Sequence, residues 1–284
     1  MILGAHESTA QGLHLAVKRA RSDSGEAVQI FTSNPTQWRG QRVSPGQARL
    51  FKAACAEHGM RHVVAHAIYL INMASPREDL WQKSVLALRE EVRRCAALGI
   101  PLLVLHPGAP GEQGERWGVD RVARGLDLVL AEAEDTRVTI LLENTAGQGT
   151  QLGFRFGQLA AIRKASAFKR RLGVCFDTQH AFAAGYDLRT AKGYATTIAE
   201  LERVVGLRHV RAVHLNDSAS ALGSRVDGHA RIGHGEIGDE GFRRLVRDTR
   251  FKDVPGILET PPGPDRKPSF AQGLRRLRRL AERK

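Results

Sequence analysis

The chain has 284 residues, of which 42% are hydrophobic, and this size suits one α/β barrel domain of roughly 250 residues. It carries 43 Lys and Arg against 30 Asp and Glu, and the net charge of +13 favours a polyanionic partner such as nucleic acid. No run of about 18 apolar residues occurs, which argues against a membrane-spanning helix and a membrane partner.

Short apolar runs alternate along the chain with longer segments of helical period. The predicted strands are Ile2–His6, Val28–Thr32, Val63–Ala67, Leu102–His106, Thr139–Glu143, Gly173–Asp177, Arg211–Asn216 and Gly256–Thr260. The helices predicted after them are Gln11–Ser22, Pro45–His58, Asp79–Leu98, Gly118–Glu134, Gly157–Lys164, Ala191–Val205, Asp239–Thr249 and Phe270–Arg283. Eight strand–helix pairs predict an α/β fold, a (β/α)8 TIM barrel of parallel strands with helices outside, as one domain over residues 1–284. An open doubly wound sheet is the alternative, although no glycine-rich dinucleotide fingerprint follows the first strand.

The predicted strands end in a concentration of imidazole and carboxylate groups. Nine such residues lie at or just beyond strand ends: His66, His106, Glu143, Asp177, His180, His214, Asp227, His229 and Glu259. In a barrel these carboxyl ends of strands share one face, where active sites form. A lone histidine beside an apolar strand is ordinary, but five histidines and four carboxylates on one rim are costly to bury without partners.

Metal ions are the usual partners of such a set, and nitrogen and oxygen ligands without a thiolate suit zinc. Nine ligands exceed one tetrahedral site, so the sequence predicts two or three ions. The spacings of Asp177 with His180 and of Asp227 with His229 each let one short segment bind metal twice. A cluster with excess positive charge binds a phosphodiester and activates water. These features predict metal-dependent phosphodiester hydrolysis.

Eight motifs stand out along the chain: Gly4–His6, Tyr69–Asn72, Leu105–Gly108, Leu142–Gly149 (LENTAGQG), Cys175–Asp187 (CFDTQHAFAAGYD), His214–Asp217, Gly223–His229 and Leu258–Thr260. Through these motifs the chain resembles, over nearly its whole length, endonuclease IV, the zinc-dependent apurinic/apyrimidinic endonuclease family. The motifs are long and occur in the family's order, so the resemblance implies the same barrel with a trinuclear zinc site on its C-terminal face.

The resemblance also implies which residues hold each ion. The first ion would be held by His66, His106 and a bridging Glu143; the second by Glu143, Asp177, His214 and Glu259; the third by His180, Asp227 and His229. Three zinc ions per chain are expected, with Mn2+ as a candidate at one position. Glu143 and Glu259 are candidate catalytic residues, because loss of either removes ligation of the second ion.

The implied reaction is base excision repair chemistry on double-stranded DNA. A hydroxide between the first two ions attacks the phosphate 5′ to an abasic site and leaves a 3′-hydroxyl and a 5′-deoxyribose phosphate. Blocked 3′ ends are cleaned as well. The absence of a signal-peptide pattern and the three widely spaced cysteines (Cys55, Cys95 and Cys175) favour a cytoplasmic enzyme of bacterial type acting at the nucleoid. We expect a monomer.

Two segments match the loops with which the family contacts DNA. Tyr69 and Leu70 match residues that enter the helix at the abasic site, although packing alone would also explain them. The segment Thr32–Arg39 matches a second loop, in which members often carry a long side chain where this chain has Thr36. The role of that side chain would then pass to Gln37 or Arg39, or be weaker.

Three further polar residues have expected roles outside the ligand set. His6 is expected to support a ligand rather than bind metal, and His234 is expected to be a loop residue. Gln179 lies where family members vary.

Two other functions fit parts of the sequence. A barrel sugar isomerase or epimerase with one or two divalent ions shares strand-end histidines and carboxylates, but it needs neither nine ligands nor a basic chain. A non-catalytic DNA-binding protein with a degenerate site is disfavoured by the complete ligand set.

Overall fold

Eight parallel strands close into a barrel in the computed structural model of the protein, which describes residues 1–261 and 270–282. The barrel strands are β1 (Ile2–His6), β2 (Ala27–Phe31), β3 (His62–His66), β4 (Leu102–Leu105), β5 (Thr139–Glu143), β6 (Leu172–Asp177), β7 (Val210–His214) and, after two short strands, β10 (Pro255–Leu258). Neighbouring strands follow the chain order around the barrel, and β1 closes it by pairing with both β2 and β10. The predicted barrel is thus confirmed.

Helices follow the strands, and all except the short, fully buried helix Thr178–Ala183 form the outer layer. They are α1 (Leu13–Ser22), α2 (Pro45–Glu57), α3 (Glu78–Leu98), α4 (Gly114–Ala131), α5 (Phe156–Ala165), α6 (Thr178–Ala183), α7 (Ala191–Val204), α8 (Gly238–Arg247) and α9 (Ala271–Ala281). Apolar residues such as Leu88, Leu126 and Ile198 are fully buried on these helices. Within the described ranges, no helix has the length and hydrophobicity needed to cross a bilayer.

Local sequence explains where several helices begin and end. At the start of α2, the Ser44 hydroxyl accepts a hydrogen bond from the Gln47 backbone N–H, and the Gln47 side chain accepts one from the Ser44 N–H. Pro45 occupies the first helical position, where its missing N–H costs nothing. Helix α3 ends at Gly99, whose φ of 76° lies in the left-handed region that glycine tolerates.

Most predicted boundaries lie within one or two residues of those in the structure, except at the two ends of α4. Helix α4 begins at Gly114 rather than at the predicted Gly118, and it ends at Ala131 rather than at Glu134. The prediction also missed α6 and a small antiparallel sheet of β8 (Asp217–Ser218) and β9 (His229–Ala230). These elements are too short for a periodic pattern to identify them. The predicted end of the last helix, Arg283, lies outside the described residues.

A separate apolar cluster fills the inside of the barrel. It consists of Val64, Leu102, Val104, Leu141, Cys175 and Ala212. Side chains two residues apart on a strand point to the same face. The residue two positions after Val64, Val104, Leu141, Cys175 or Ala212 is in each case a histidine or a carboxylate. The barrel therefore directs those polar side chains inwards, above an apolar floor.

Candidate metal centre

One end of the barrel gathers the imidazole and carboxylate groups predicted from the sequence. His66, Glu143, Asp177 and His214 are the last residues of β3, β5, β6 and β7, and His106 and Glu259 directly follow β4 and β10. His180 lies on α6, His229 begins β9, and Asp227 lies in the loop before it. The structure thus brings eight of the nine predicted ligands into candidate groups and places Asp227 beside them.

Glu143 is the centre of this arrangement and is fully buried. Its Oε2 atom lies 3.3 Å from Nε2 of His66 and 3.0 Å from Nε2 of His106. Its Oε1 atom lies 3.2 Å from Nδ1 of His180 and 2.9 Å from Nδ1 of His214. Burial alone would raise the pKa of Glu143, but the charges of His214 and His106 and hydrogen bonds from the imidazoles hold it well below its usual value.

Three groups of side chains have ligand atoms within 4.8 Å of one another in the described part of the chain. The groups are His66, His106 and Glu143; Glu143, Asp177, His214 and Glu259; and Asp177, His180 and His229. The first two groups contain the same residues as the first two predicted ion sites. Glu143 belongs to both of them, which fits the bridging position predicted for it.

The third group differs in composition from the third predicted site, because it contains Asp177 where Asp227 was expected. Asp177 caps α6 by accepting a hydrogen bond from the backbone N–H of His180 at 2.8 Å, and this brings its carboxylate close to the His180 ring. Asp227 Oδ1 lies 3.4 Å from Nε2 of His180 and 3.6 Å from Nε2 of His229. Asp227 is also 41% exposed and sits on a loop, so it faces both histidines from the solvent side.

The donor chemistry of these groups fits divalent metal ions. All ligand atoms are imidazole nitrogens or carboxylate oxygens, the set that binds zinc when no thiolate is offered. Nε2 of His229 is buried and has no hydrogen-bond partner among the described residues. A buried, unpaired ring nitrogen facing a carboxylate is costly unless it binds something. The side chains present therefore fit a metal-binding role.

Side chains outside the three groups orient the candidate ligands through hydrogen bonds. The sequence-based prediction missed the most important of these side chains, Gln29. Gln29 is fully buried in the middle of β2, where its Oε1 atom lies 2.9 Å from Nε2 of His214 and its Nε2 atom donates to Glu259 at 2.5 Å. Asn216 donates to Oδ2 of Asp177 at 2.7 Å and accepts from the backbone N–H of Glu259 at 2.9 Å. The signal for Gln29 was present, since an amide interrupts an otherwise apolar strand.

Asp217 also follows β7 but serves a different purpose. Its Oδ2 atom accepts backbone hydrogen bonds from Gly233 and Gly235, and its Oδ1 atom accepts from Ile237 and from Ser218. The carboxylate thereby holds the loop between β9 and α8 in place.

A cavity of about 910 Å³ opens above the candidate metal ligands. Tyr69 lines it and is 66% exposed, with its ring centroid 5.1 Å from that of Phe31. Leu70 is half-buried and packs against the hydrophobic core. The backbone N–H of Tyr69 donates to the carbonyl of Pro35, so the two predicted DNA loops are in contact.

The second loop presents exposed polar side chains next to this cavity. Gln37 and Arg39 are exposed, whereas the cavity wall is formed by the earlier residues Ser33–Pro35. The Thr36 hydroxyl donates to Oδ1 of Asn34 at 2.8 Å and is held within its own turn. A role for Gln37 or Arg39 at DNA stays a prediction.

The remaining polar residues lie beside the ligand groups. Nδ1 of His6 lies 3.0 Å from Oε1 of Glu259, and His6 belongs to none of the three groups. His234 is exposed in the loop held by Asp217. Gln179 is buried and donates to the carbonyl of Val226, which ties α6 to the loop that carries Asp227.

Sequence comparison identifies close relatives across the whole chain. The profile of the xylose isomerase-like TIM barrel family matches residues 17–280. A probable endonuclease 4 from Geobacter sp. (strain M21) is 46% identical over 281 residues, covering 99% of each chain. A probable endonuclease 4 from Chloroflexus aurantiacus is 49% identical over 262 residues, covering 92% of each.

Structural comparison agrees with the sequence relatives. Endonuclease IV from Thermus thermophilus superposes with a TM-score of 0.88 at 39% identity, covering 99% of this chain and 98% of that one. A D-tagatose 3-epimerase-like protein superposes with a TM-score of 0.75 over 99% of this chain and 97% of that one, at 21% identity. The second likeness shows the barrel fold alone.

Proposed function

The chain belongs to the endonuclease IV family, and from that premise we propose that it is a metal-dependent endonuclease that cuts duplex DNA on the 5′ side of abasic sites. Its products would be a 3′-hydroxyl and a 5′-deoxyribose phosphate, and cleaning of blocked 3′ ends would use the same chemistry. Residues 1–284 would act as one domain and as a monomer, in a bacterial cytoplasm at the nucleoid.

The observation that carries the proposal is the position of Glu143 between four imidazoles at the open end of the barrel. One carboxylate within 3.3 Å of His66, His106, His180 and His214 can bridge neighbouring ions. A site for several ions suits a phosphodiester, whose attacking and leaving oxygens both need stabilisation. A neutral sugar substrate does not need this stabilisation.

We assign the nine predicted ligands to three zinc ions, with Mn2+ as a candidate at one position. Support comes from the groups described above, in which Glu143 and Asp177 each belong to two. Asp227 completes the third set by facing both His180 and His229. When bound, divalent ions supply positive charge to the phosphate and an activated water nucleophile at neutral pH.

The protein's own side chains position the substrate and the ligands. Gln29 holds the ring of His214, and Asn216 holds the carboxylate of Asp177. Tyr69 would enter the helix where a base is missing, since its exposed ring beside the cavity can stack on neighbouring bases. Gln37 and Arg39 would contact the backbone near the lesion.

A nicking assay on a duplex with one abasic-site analogue tests the proposal. Cleavage 5′ to the lesion, lost with chelator and restored by added zinc, is the expected result. No cleavage by fully metal-loaded protein would refute it. Close to three ions per chain would support the ion assignment, whereas one or two ions with turnover of a ketose or aldose would favour a sugar isomerase.

A further inference from the structure

A second cavity, of about 620 Å³, lies at the opposite end of the barrel from the metal ligands. Thr139, Leu172 and Gly173 line it at the starts of β5 and β6, and Arg211 lines it at the start of β7. The same three strands carry Glu143, Asp177 and His214 at their other ends. The cavity is therefore separate from the metal centre by the length of the strands.

The walls of this cavity are strongly cationic. Six basic side chains line it: Arg163, Lys164, Lys169, Arg170, Arg208 and Arg211. No Asp or Glu is among its described lining residues, and none of the six forms an ion pair with a described residue. The charge of Glu202 acts on His209, which lines the cavity, but the Glu202 carboxylate accepts a hydrogen bond from the Leu207 backbone N–H.

These cations are close enough to repel one another. Burial lowers the pKa of the Arg163 guanidinium, and the positive charge of Arg208 lowers it further. Burial and the charges of Arg163 and Arg208 also lower the pKa of His209. Arg208 donates from Nε to Nε2 of His209 at 3.1 Å, so the imidazole accepts a bond without adding a charge. An anion in the cavity would relieve this repulsion.

The helix dipole explains only part of the cluster. Arg163 and Lys164 lie in the last turn of α5, where positive charge stabilises any helix. Lys169 and Arg170 come from the turn before β6, Arg208 from the turn before β7, and Arg211 from β7 itself. The other four cations therefore lie where stabilisation of an α-helix end does not explain a positive charge.

The apolar residues that line the cavity include Ala160, Leu172 and Val204. A volume of this size is typical of sites for small molecules. A DNA backbone would use the positive charges but not the apolar lining residues. We propose that this cavity binds a small polyphosphate with an apolar part, of the class of nucleoside di- and triphosphates.

Calorimetric titration of adenosine diphosphate into the zinc-loaded protein tests the proposal. The protein is first saturated with an uncleavable abasic-analogue duplex, so that the metal centre is covered. We compare the wild type with Arg208→Ser/Arg211→Ser and with the control Arg49→Ser/Arg116→Ser, which removes two exposed helical arginines elsewhere. Lys169→Ser/Arg170→Ser replaces the first variant if that variant does not fold.

Wild type and control should bind the nucleotide within about twofold of each other, and the cavity variant roughly tenfold or more weakly, since charge-assisted bonds to phosphate are lost. Pyrophosphate should compete and adenosine should not. Equal binding by the cavity and control variants would overturn the proposal. The proposal would also be overturned if the cavity substitutions weakened binding of a short undamaged duplex but not binding of the nucleotide. That result would instead indicate a second nucleic-acid surface.

Discussion

Nε2 of His214 lies 2.9 Å from Oε1 of Gln29, and this hydrogen bond leaves the other ring nitrogen facing the carboxylates. Nδ1 of His214 lies 2.9 Å from Glu143 and 3.1 Å from Glu259. A neutral imidazole carries one proton, so a donor at Nε2 makes Nδ1 the nitrogen with a free lone pair. The amide of Gln29 thereby selects the tautomer that can bind metal.

Replacing Gln29 with Met should weaken metal binding while the barrel stays folded. Groups that hydrogen-bond to a metal-ligating side chain typically contribute about 10- to 100-fold to metal affinity or activity. Metal content after dialysis against a weak chelator, together with nicking rates at saturating zinc, measures the effect. Gln82→Met is the control, because Gln82 is exposed on α3 and its side chain donates to the neighbouring Glu78, outside the metal centre. Equal metal retention in both variants would contradict the role given to Gln29.

Glu143→Gln should abolish cleavage with little change in fold. The amide keeps the shape of the side chain but removes the charge that four imidazoles face. We expect nicking to fall by at least about 1000-fold, because the loss of one bridging carboxylate removes several kcal/mol of transition-state stabilisation. Rate measurements with metal analysis and circular dichroism check this, with exposed Glu240→Gln as the control. Turnover at the wild-type rate would refute the assignment.

Tyr69→Ala should affect DNA binding rather than stability. The side chain is 66% exposed, so we expect the free energy of unfolding to change by no more than about 0.5 kcal/mol. Loss of base stacking should weaken binding to an abasic duplex by about tenfold, and binding to an undamaged duplex much less. Fluorescence anisotropy with both duplexes separates the two effects. Leu50→Ala, which removes another exposed side chain, should leave both affinities unchanged.

Glu7→Gln should stabilise the protein at alkaline pH. Glu7 is only 7% exposed, its Oε1 atom has no hydrogen-bond partner among the described residues, and burial together with Asp23 raises its pKa from 4.5 to about 7. The folded state thus favours the protonated form, and that contribution is full below pH 4.5 and lost as pH rises through about 7.

At pH 8 the neutral amide of this variant avoids a buried charge, so the variant should gain up to about 3 kcal/mol over wild type. Near pH 5 the gain should be much smaller. Urea denaturation at the two pH values measures the difference, and exposed Glu57→Gln serves as the control. A gain independent of pH would mean that the carboxyl does not titrate as inferred.

Asp217→Asn should loosen the loop between β9 and α8. The amide group would replace one carboxylate oxygen, so that backbone N–H groups such as those of Gly233 and Gly235 lose their acceptor. Each unsatisfied donor costs about 1–3 kcal/mol, and we expect a loss of about 2–4 kcal/mol in the free energy of unfolding. Asp120→Asn, on the exposed face of α4, is the matched control. Similar losses in the two variants would argue against a specific role of Asp217.

The amino-acid sequence was sufficient to predict the barrel and the cluster of histidines and carboxylates at the carboxyl ends of its strands. Apolar runs that alternate with helical segments reflect backbone geometry over a few residues, and this is why eight strand–helix pairs were predicted in the right order. Parallel strands of a barrel end on one face, so His66, Glu143 and His214 were expected together before any distance was known. Short elements such as α6 were missed because they hold too few residues for a period.

The contacts between individual side-chain atoms depend on the closed fold. Gln29 and His214 are 185 residues apart, and their hydrogen bond depends on how the closed sheet sets β2 opposite β7. The closed barrel likewise places Asp217 against the loop between β9 and α8. It also brings six cations from separate segments together at the end of the barrel opposite the metal centre. Local periodicity predicts on which face of a strand a side chain lies. The side chains that it contacts on other strands depend on the register and tilt of the strands in the closed barrel.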